Sequence, residues 1–153
     1  MNVVIINGSP RANGTCARLT ADLQREHVQT GHSVDVFSVA RDHFRPCGGC
    51  QRCVQTKVCG ITDDDIGRLF AALDAADELH WVAPVYFGAI PAQLKAVIDR
   101  MMVIWSRQGG IAADRSRRAF AHLTAASDDP YTDAMLVPLR YASNTLGFTL
   151  QVP

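Results

Sequence analysis

Two stretches of the chain carry residue types at spacings that could do chemistry. The first is Asn7-Gly8-Ser9-Pro10-Arg11-Ala12-Asn13-Gly14-Thr15. Gly8 and Gly14 let a backbone approach a ligand closely and turn its N–H groups inward. Ser9, Asn13 and Thr15 offer neutral donors and Arg11 a cationic one. The Gly-Lys-[Ser/Thr] ending of a magnesium–nucleotide loop is missing, and so is the Gly-x-Gly-x-x-Gly dinucleotide fingerprint. A rich donor set without a magnesium ligand suits a phosphate monoester. The bland alternative is a βα turn that only starts a helix.

The second stretch runs from Pro46-Cys47-Gly48-Gly49-Cys50-Gln51-Arg52-Cys53 to Cys59, with spacing C-x2-C-x2-C-x5-C. Three thiolates at three-residue steps can wrap one face of a compact cluster, and a short loop returns a fourth. Four-cysteine ligation suits a [4Fe–4S] cluster. Arg45, Arg52 and Lys57 would offset its negative charge. Structural zinc more often uses two cysteine pairs set further apart, so it ranks lower. Reduced structural thiols are a further reading, as is a redox dithiol in which Cys50 and Cys53 exchange electrons.

These stretches sit in a pattern of alternating strands and helices. Val3–Asn7 is a short β-branched strand ending at Gly8. A helix over 13–30 follows, with Leu19 and Leu23 one turn apart and Gly31 as its stop. Residues 33–39 form a second strand, and the cysteine loop occupies 46–60. Thr62-Asp63-Asp64-Asp65 has capping-box spacing before the apolar run Ile66, Leu69, Phe70, Leu73, and the acidic triplet would complement the helix dipole. Glu78–Ala83 is a third strand. Pro91 opens a helix that puts Leu94, Val97, Ile98, Met101, Ile104 and Trp105 on one face. A strand at 119–125, a helix at 133–143 and a strand at 148–152 complete the order.

Such alternation implies an α/β fold with right-handed crossovers and both sheet faces covered. Five strands match a doubly wound, flavodoxin-like parallel sheet of order 2-1-3-4-5, as one domain over 1–153. In that arrangement ligands bind at the carboxyl ends of the strands. The rule selects the loops after strands one, three and four. The loop after strand three is Pro84-Val85-Tyr86-Phe87-Gly88-Ala89-Ile90-Pro91. Tyr86 and Phe87 could wall a flat ring, and Gly88 could bring N–H groups to its edge. The alternative is a plain turn with its aromatics in the core.

Gly8-Ser9-Pro10-Arg11-x-Asn13-Gly14 resembles the phosphate loop of the NADPH-dependent FMN reductases and iron–sulfur flavoproteins. Pro84-Val85-Tyr86-Phe87-Gly88, then Gln93-Leu94-Lys95 and Ile98-Asp99-Arg100, is similar to the second signature of those families. The cysteine stretch resembles the compact cluster motif of the iron–sulfur flavoproteins. The resemblance implies FMN as cofactor, with Ser9, Arg11, Asn13, Gly14, Thr15 and Cys16 at the phosphate. It places Pro84, Val85, Tyr86, Phe87 and Gly88 at the ring; Ser127 is a candidate by its position after strand four, in a loop where many relatives are glycine-rich and this chain is not. Cys47, Cys50, Cys53 and Cys59 are the candidate metal ligands. Relatives commonly carry Asn-Thr where this chain has Thr15-Cys16, and Cys16 is the poorer donor. Lys95, Asp99 and Arg100 are expected on a helix surface near an interface. The implied activity is NAD(P)H oxidation, with electrons passed through flavin to a small acceptor such as a quinone or free flavin. An electron carrier between partner proteins is the alternative. A homodimer or homotetramer is implied too.

Composition narrows the classes. Lys+Arg and Asp+Glu both number 15, so the clustered basic excess of a nucleic-acid binder is not expected. Arg107, Arg115, Arg117 and Arg118 fall close together and read as a solvated loop. No apolar run approaches the ~18 residues of a membrane span, so no membrane partner is expected. Five cysteines in a chain expected to be cytoplasmic call for metal, redox or burial roles rather than disulfides. The histidines, His27, His32, His43, His80 and His122, show no ligand spacing and default to surface or core roles.

Overall fold

The computed structural model describes residues 1–125 and 132–151. Ser127 and the rest of the loop after the fourth strand lie outside the described residues. Five parallel strands form one sheet in the order β2-β1-β3-β4-β5. They are β1 (Asn2–Asn7), β2 (Ser33–Ser38), β3 (Glu78–Pro84), β4 (Arg117–Thr124) and β5 (Phe148–Gln151). Helices α1 (Thr15–Gln29), α2 (Arg52–Thr56), α3 (Ile66–Ala75), α4 (Ala92–Arg100), α5 (Met102–Gln108) and α6 (Thr132–Thr145) connect and cover them. The flavodoxin-like order expected from alternation is therefore the order observed. Among the described residues no helix is long and apolar enough to cross a membrane.

β1 and β3 are the central strands, and both faces of each are covered. That is why Val3-Val4-Ile5-Ile6 is an unbroken apolar run rather than an alternating one. Val4, Ile6, Leu79, Trp81 and Ala83 point to the larger core, which α3, α4 and α6 complete. Val3, Ile5 and Val82 point the other way, onto α1 with Cys16. Trp81 is fully buried, and its indole N–H donates to Ser143 Oγ at 2.9 Å. The register Ile5↔His80 and His80↔Phe120 brings residues far apart in sequence side by side.

Several expectations are corrected. The helix after Pro91 is two helices, α4 and α5, meeting at Met101. Trp105 is 37% exposed rather than on the core face. The cysteine stretch contains a short helix, α2, flanked by Gln51 and Lys57 in the left-handed region. Helix α3 begins at Ile66, after Asp65, and no side chain caps it. The acidic triplet instead binds side chains and backbone. Asp63 pairs with Arg45, Asp65 with Arg68, and Asp64 with Arg100.

Of the basic group, Arg107, Arg115 and Arg118 are exposed, and Arg117 alone turns inward. Arg117 lies over the Phe148 ring at 4.0 Å and donates to the carbonyls of Leu73, Ala76 and Leu146. Those carbonyls close the C-terminal turns of α3 and α6, where a cation complements the dipole. Arg107 Nε donates to Lys57 O at 2.8 Å, and Arg118 reaches Glu78 at 2.9 Å.

Candidate functional site

At the carboxyl end of β1 the chain must turn between β3 and α4. Gly8 N–H donates to Val82 O at 2.8 Å, tying the turn to β3. A Cβ at Gly8 would lie 2.5 Å from Leu94 Cδ2 and 2.9 Å from Leu94 Cβ. Only glycine fits there, because α4 closes over the loop. Asn7 and Ser9 are buried, and Ser9 N–H donates to Asn7 Oδ1 at 3.0 Å. Arg11 N–H in turn donates to Ser9 Oγ at 3.2 Å. These two side-chain turns shape the loop before any ligand arrives. Arg11, Asn13 and Thr15 are exposed. No side chain caps α1. Its first N–H groups and positive end therefore face the loop, an arrangement suited to an anion.

Cys16 departs from its expected place. It is buried, and its Sγ lies 3.1 Å from Thr124 Oγ1, at the end of β4. Its thiol therefore packs between α1 and the sheet, and only its backbone N–H belongs to the anion-facing turn.

The loop after β3 lies beside this one, because β1 and β3 are neighbours. Val85 N–H donates to Thr124 O at 2.8 Å. Tyr86 and Ala89 then exchange backbone hydrogen bonds at 2.9 and 3.1 Å across a two-residue turn. Phe87 and Gly88 occupy that turn with φ of 50° and 70°. Positive φ at both central positions is the primed hairpin turn, which favours Asn-Gly. A phenylalanine there costs about 1–2 kcal/mol of local strain. Its ring is also fully exposed, at 108%. Strain and solvent exposure together mark Phe87 as placed for contact outside this chain's own core. Tyr86 is 37% exposed beside it.

The cysteine stretch is held at both ends by one guanidinium. Arg100, expected on a helix surface, is buried at the end of α4. It donates to Arg45 O at 2.8 Å, to Ile61 O at 2.9 Å and to Asp64 Oδ2 at 2.6 Å. Both side chains of the Arg100–Asp64 pair are within 1% of full burial. Burial works against the charge on Asp64, and hydrogen bonds from Arg100, Arg45 and Ile66 outweigh it, holding its carboxyl below the ordinary value. Burial likewise opposes the charge on Arg100, and hydrogen bonds with Asp64 and Cys59 outweigh it, so its pKa is raised.

All five cysteines are free thiols. Cys47 and Cys50 are exposed, and the half-buried Cys53 and Cys59 pack against the core. Cys50 Sγ lies 3.3 Å from where a Gly60 Cβ would be, so the sulfur folds back toward the end of the loop. Among the described residues no three of these sulfurs lie within 4.8 Å of one another. One zinc ion needs its sulfurs about 3.8 Å apart, from Zn–S bonds of about 2.3 Å, and that spacing is not preformed. Pro46 lines a cleft of about 320 Å³ with Ala92, Gln93 and Ala96 at the start of α4. The cysteine stretch thus begins next to the helix that follows the Tyr86–Ala89 turn.

A family model for NADPH-dependent FMN reductases matches residues 1–127, which include both loops and all the cysteines. The chain belongs to that family. Among curated relatives, an iron–sulfur flavoprotein of Methanosarcina thermophila is 32% identical over 104 residues, 68% of this chain and 54% of its own length. One from Methanocaldococcus jannaschii is 34% identical over 100 residues, covering 65% and 51%. The chain thus spans about half the length of these relatives. Solved structures share the fold at low identity. An NAD(P)H:quinone oxidoreductase from Methanothermobacter marburgensis superposes with a TM-score of 0.70 at 16% identity, over 99% of this chain and 81% of that one. An FMN-dependent NADH-azoreductase from Bacillus anthracis gives 0.69 at 16%, over 98% and 84%.

The donor set fits the FMN that the family name implies. A loop with no room for a Cβ, an uncapped helix start and a neutral-plus-Arg11 donor set suit a phosphate monoester. Four free thiols on a segment anchored at both ends suit a cluster that binds a different iron at each cysteine.

Proposed function

We propose that this chain binds FMN and serves an NAD(P)H-dependent flavin oxidoreductase that passes electrons to a small acceptor such as a quinone or free flavin. The observation that carries this reading is the pairing of two loops on neighbouring strands. The Gly8–Thr15 loop opens onto an uncapped helix, and the strained Phe87–Gly88 turn stands beside it. Ser9, Arg11, Asn13, Gly14 and Thr15 would hold the phosphate. Pro84, Val85, Tyr86 and Phe87 would wall the ring. Among the described residues the Phe87 and Gly88 N–H groups have no protein acceptor, and they would face its pyrimidine edge. Ser127 stays a candidate by position in the chain alone.

FMN, when bound, supplies hydride acceptance from nicotinamide and the onward release of electrons. The protein's own part is to bind, orient and exclude water. Cys47, Cys50, Cys53 and Cys59 would hold a [4Fe–4S] cluster, which supplies single-electron transfer when bound. The position of Pro46 against the start of α4 supports a second reading, a carrier that moves single electrons between flavin, cluster and a partner protein. The cytoplasm suits five free thiols. A homodimer or homotetramer would cover the apolar groove of about 440 Å³ that Met102, Trp105, Val137 and Tyr141 help to line.

The test is a visible spectrum of anaerobically purified protein, with iron and acid-labile sulfide assayed on the same sample, followed by rapid mixing with NADPH. Flavin bands bleached by NADPH support the enzyme; reduction by ferredoxin alone supports the carrier. A colourless chain that takes up no FMN defeats both. Flavin without iron defeats the cluster.

A further inference from the structure

The fold gathers four of the five histidines on the α1 side of the sheet, with His27 and His32 at its end remote from both loops. His27 sits in the last turn of α1. Glu78 and His80 occupy alternate positions on β3 and so share the face that α1 covers. His27 Nε2 lies 3.2 Å from His80 Nε2, His80 Nε2 lies 3.0 Å from Glu78 Oε1, and His27 Nε2 lies 3.7 Å from that same oxygen. Three lone-pair atoms thus form a triangle with sides close to 3.3 Å. That is about the ligand–ligand edge of a tetrahedral ion with bonds of ~2.05 Å. An ion about 2.05 Å from all three would stand ~0.7 Å off their plane, as it does in a regular tetrahedron.

The remote atoms of all three groups are also held. His27 Nδ1 meets His32 Nδ1 at 3.1 Å, His80 Nδ1 meets His122 Nε2 at 2.9 Å, and Arg118 donates to Glu78 Oε2 at 2.9 Å. Outer partners of this kind fix ring orientation around bound metals. Hydrogen bonding alone leaves the triangle underfilled. Glu78 Oε1 and His27 Nε2 both face His80 Nε2, which carries at most one hydrogen for the two of them. A dication in its place gives every lone pair a partner, while His80 Nδ1–H turns to donate to His122.

We propose that His27, Glu78 and His80 form a binding site for a divalent transition cation of the zinc type, with water as fourth ligand. The site is separate from the proposed flavin and cluster sites: along β3, His80 stands ~13 Å and Glu78 ~20 Å from Pro84, where the loop to Tyr86 begins. Its ion staples the C-terminal end of α1 to the sheet. The cation would be a borderline one that takes imidazole and carboxylate, as zinc does.

Cobalt(II) titration of the full chain, followed by difference spectra, tests the site. Thiolate donors give an intense near-ultraviolet charge-transfer band, whereas His/Glu donors give only visible ligand-field bands. A thiolate-free visible band saturating at one equivalent, and displaced by zinc, is expected. His122→Phe should weaken that binding about tenfold, as loss of an outer partner does. His27→Gln and Glu78→Gln should each weaken it about a hundredfold or more, since a lost ligand costs more than an outer partner. The thiolate band should not move in any of them. Zinc should raise the Tm of the unsubstituted chain more than that of His27→Gln, in which only the cysteines remain to bind it. Absence of a thiolate-free band in the unsubstituted chain overturns the proposal, whatever the variants do. So does a band that survives both ligand substitutions.

Discussion

Replacing Arg100 by methionine removes a guanidinium that is only 2% exposed and leaves its partner behind. Asp64 would keep its hydrogen bonds from Arg45 N–H at 2.9 Å and Ile66 N–H at 3.3 Å, with no cation in reach of its buried carboxylate. Breaking such a pair from one side costs about 3–5 kcal/mol. The Arg45 and Ile61 carbonyls lose their donor at the same time, at a cost that overlaps with the first, so the expected loss is about 4 kcal/mol. With a urea m-value of about 2 kcal/mol/M, the midpoint at pH 7 should fall by about 2 M. The pH dependence gives a sharper test. In the native chain the Asp64 carboxyl is held below its ordinary value. Its contribution is present above about pH 4 and is lost as pH falls through the lowered pKa. In Arg100→Met, burial acts without the cation and raises that pKa, so stability is lost as pH rises through it. The gap between the two proteins should therefore shrink as pH is lowered from 7 toward about 4. Arg100→Met/Asp64→Leu should recover most of the stability, because an apolar pair replaces a half-broken ionic one. A single variant within 1 kcal/mol of the native chain at pH 7 would refute the reasoning, and so would a gap that does not narrow in acid.

Gly8→Ala should destabilise the chain by about 1–3 kcal/mol through the clash with Leu94 and abolish FMN uptake measured by flavin fluorescence quenching; unchanged uptake means α4 does not position the loop. Phe87→Asn should raise stability by about 1 kcal/mol, because asparagine suits positive φ, yet weaken FMN binding; equal affinity removes the ring from the site. Cys16→Ser should change FMN affinity by less than about threefold, since the thiol faces Thr124 rather than the loop, and a larger loss in a binding titration would put the side chain at the phosphate. Trp105→Glu with Tyr141→Glu should convert any dimer to monomer by light scattering, whereas an unchanged mass places the interface elsewhere.

What was legible in the sequence was local. The β-branched run before Gly8 and the alternation of strand and helix patterns sufficed for the sheet order, since right-handed crossovers leave few alternatives. The two loops were legible because their glycines and prolines carry backbone meaning by themselves. Arg100 was not, because a cation on an amphipathic helix ordinarily faces water, and its partner Asp64 lies 36 residues upstream. The histidine group was hidden for the same reason. His27 meets His80 across 53 residues, and His80 meets His122 across 42, only once the strand register and the α1 crossover are set. Arg117 looked solvated because nothing local shows that the ends of α3 and α6 converge on it.

The single guanidinium that grips Arg45 O and Ile61 O has a consequence for how such chains diversify. Closing a flexible loop carries an entropic cost that grows only slowly with its length. Here the closure is already made by Arg100, and inside it Cys53 and Cys59 pack against the core while Lys57 bonds to α5. The exposed part of the segment, Cys47 to Cys50, is therefore the part free to vary. Thiols could be added, deleted or respaced within it while the flavodoxin-like scaffold folds as before. New redox chemistry could then be grafted beside the loops after β1 and β3 by changing one short stretch of sequence.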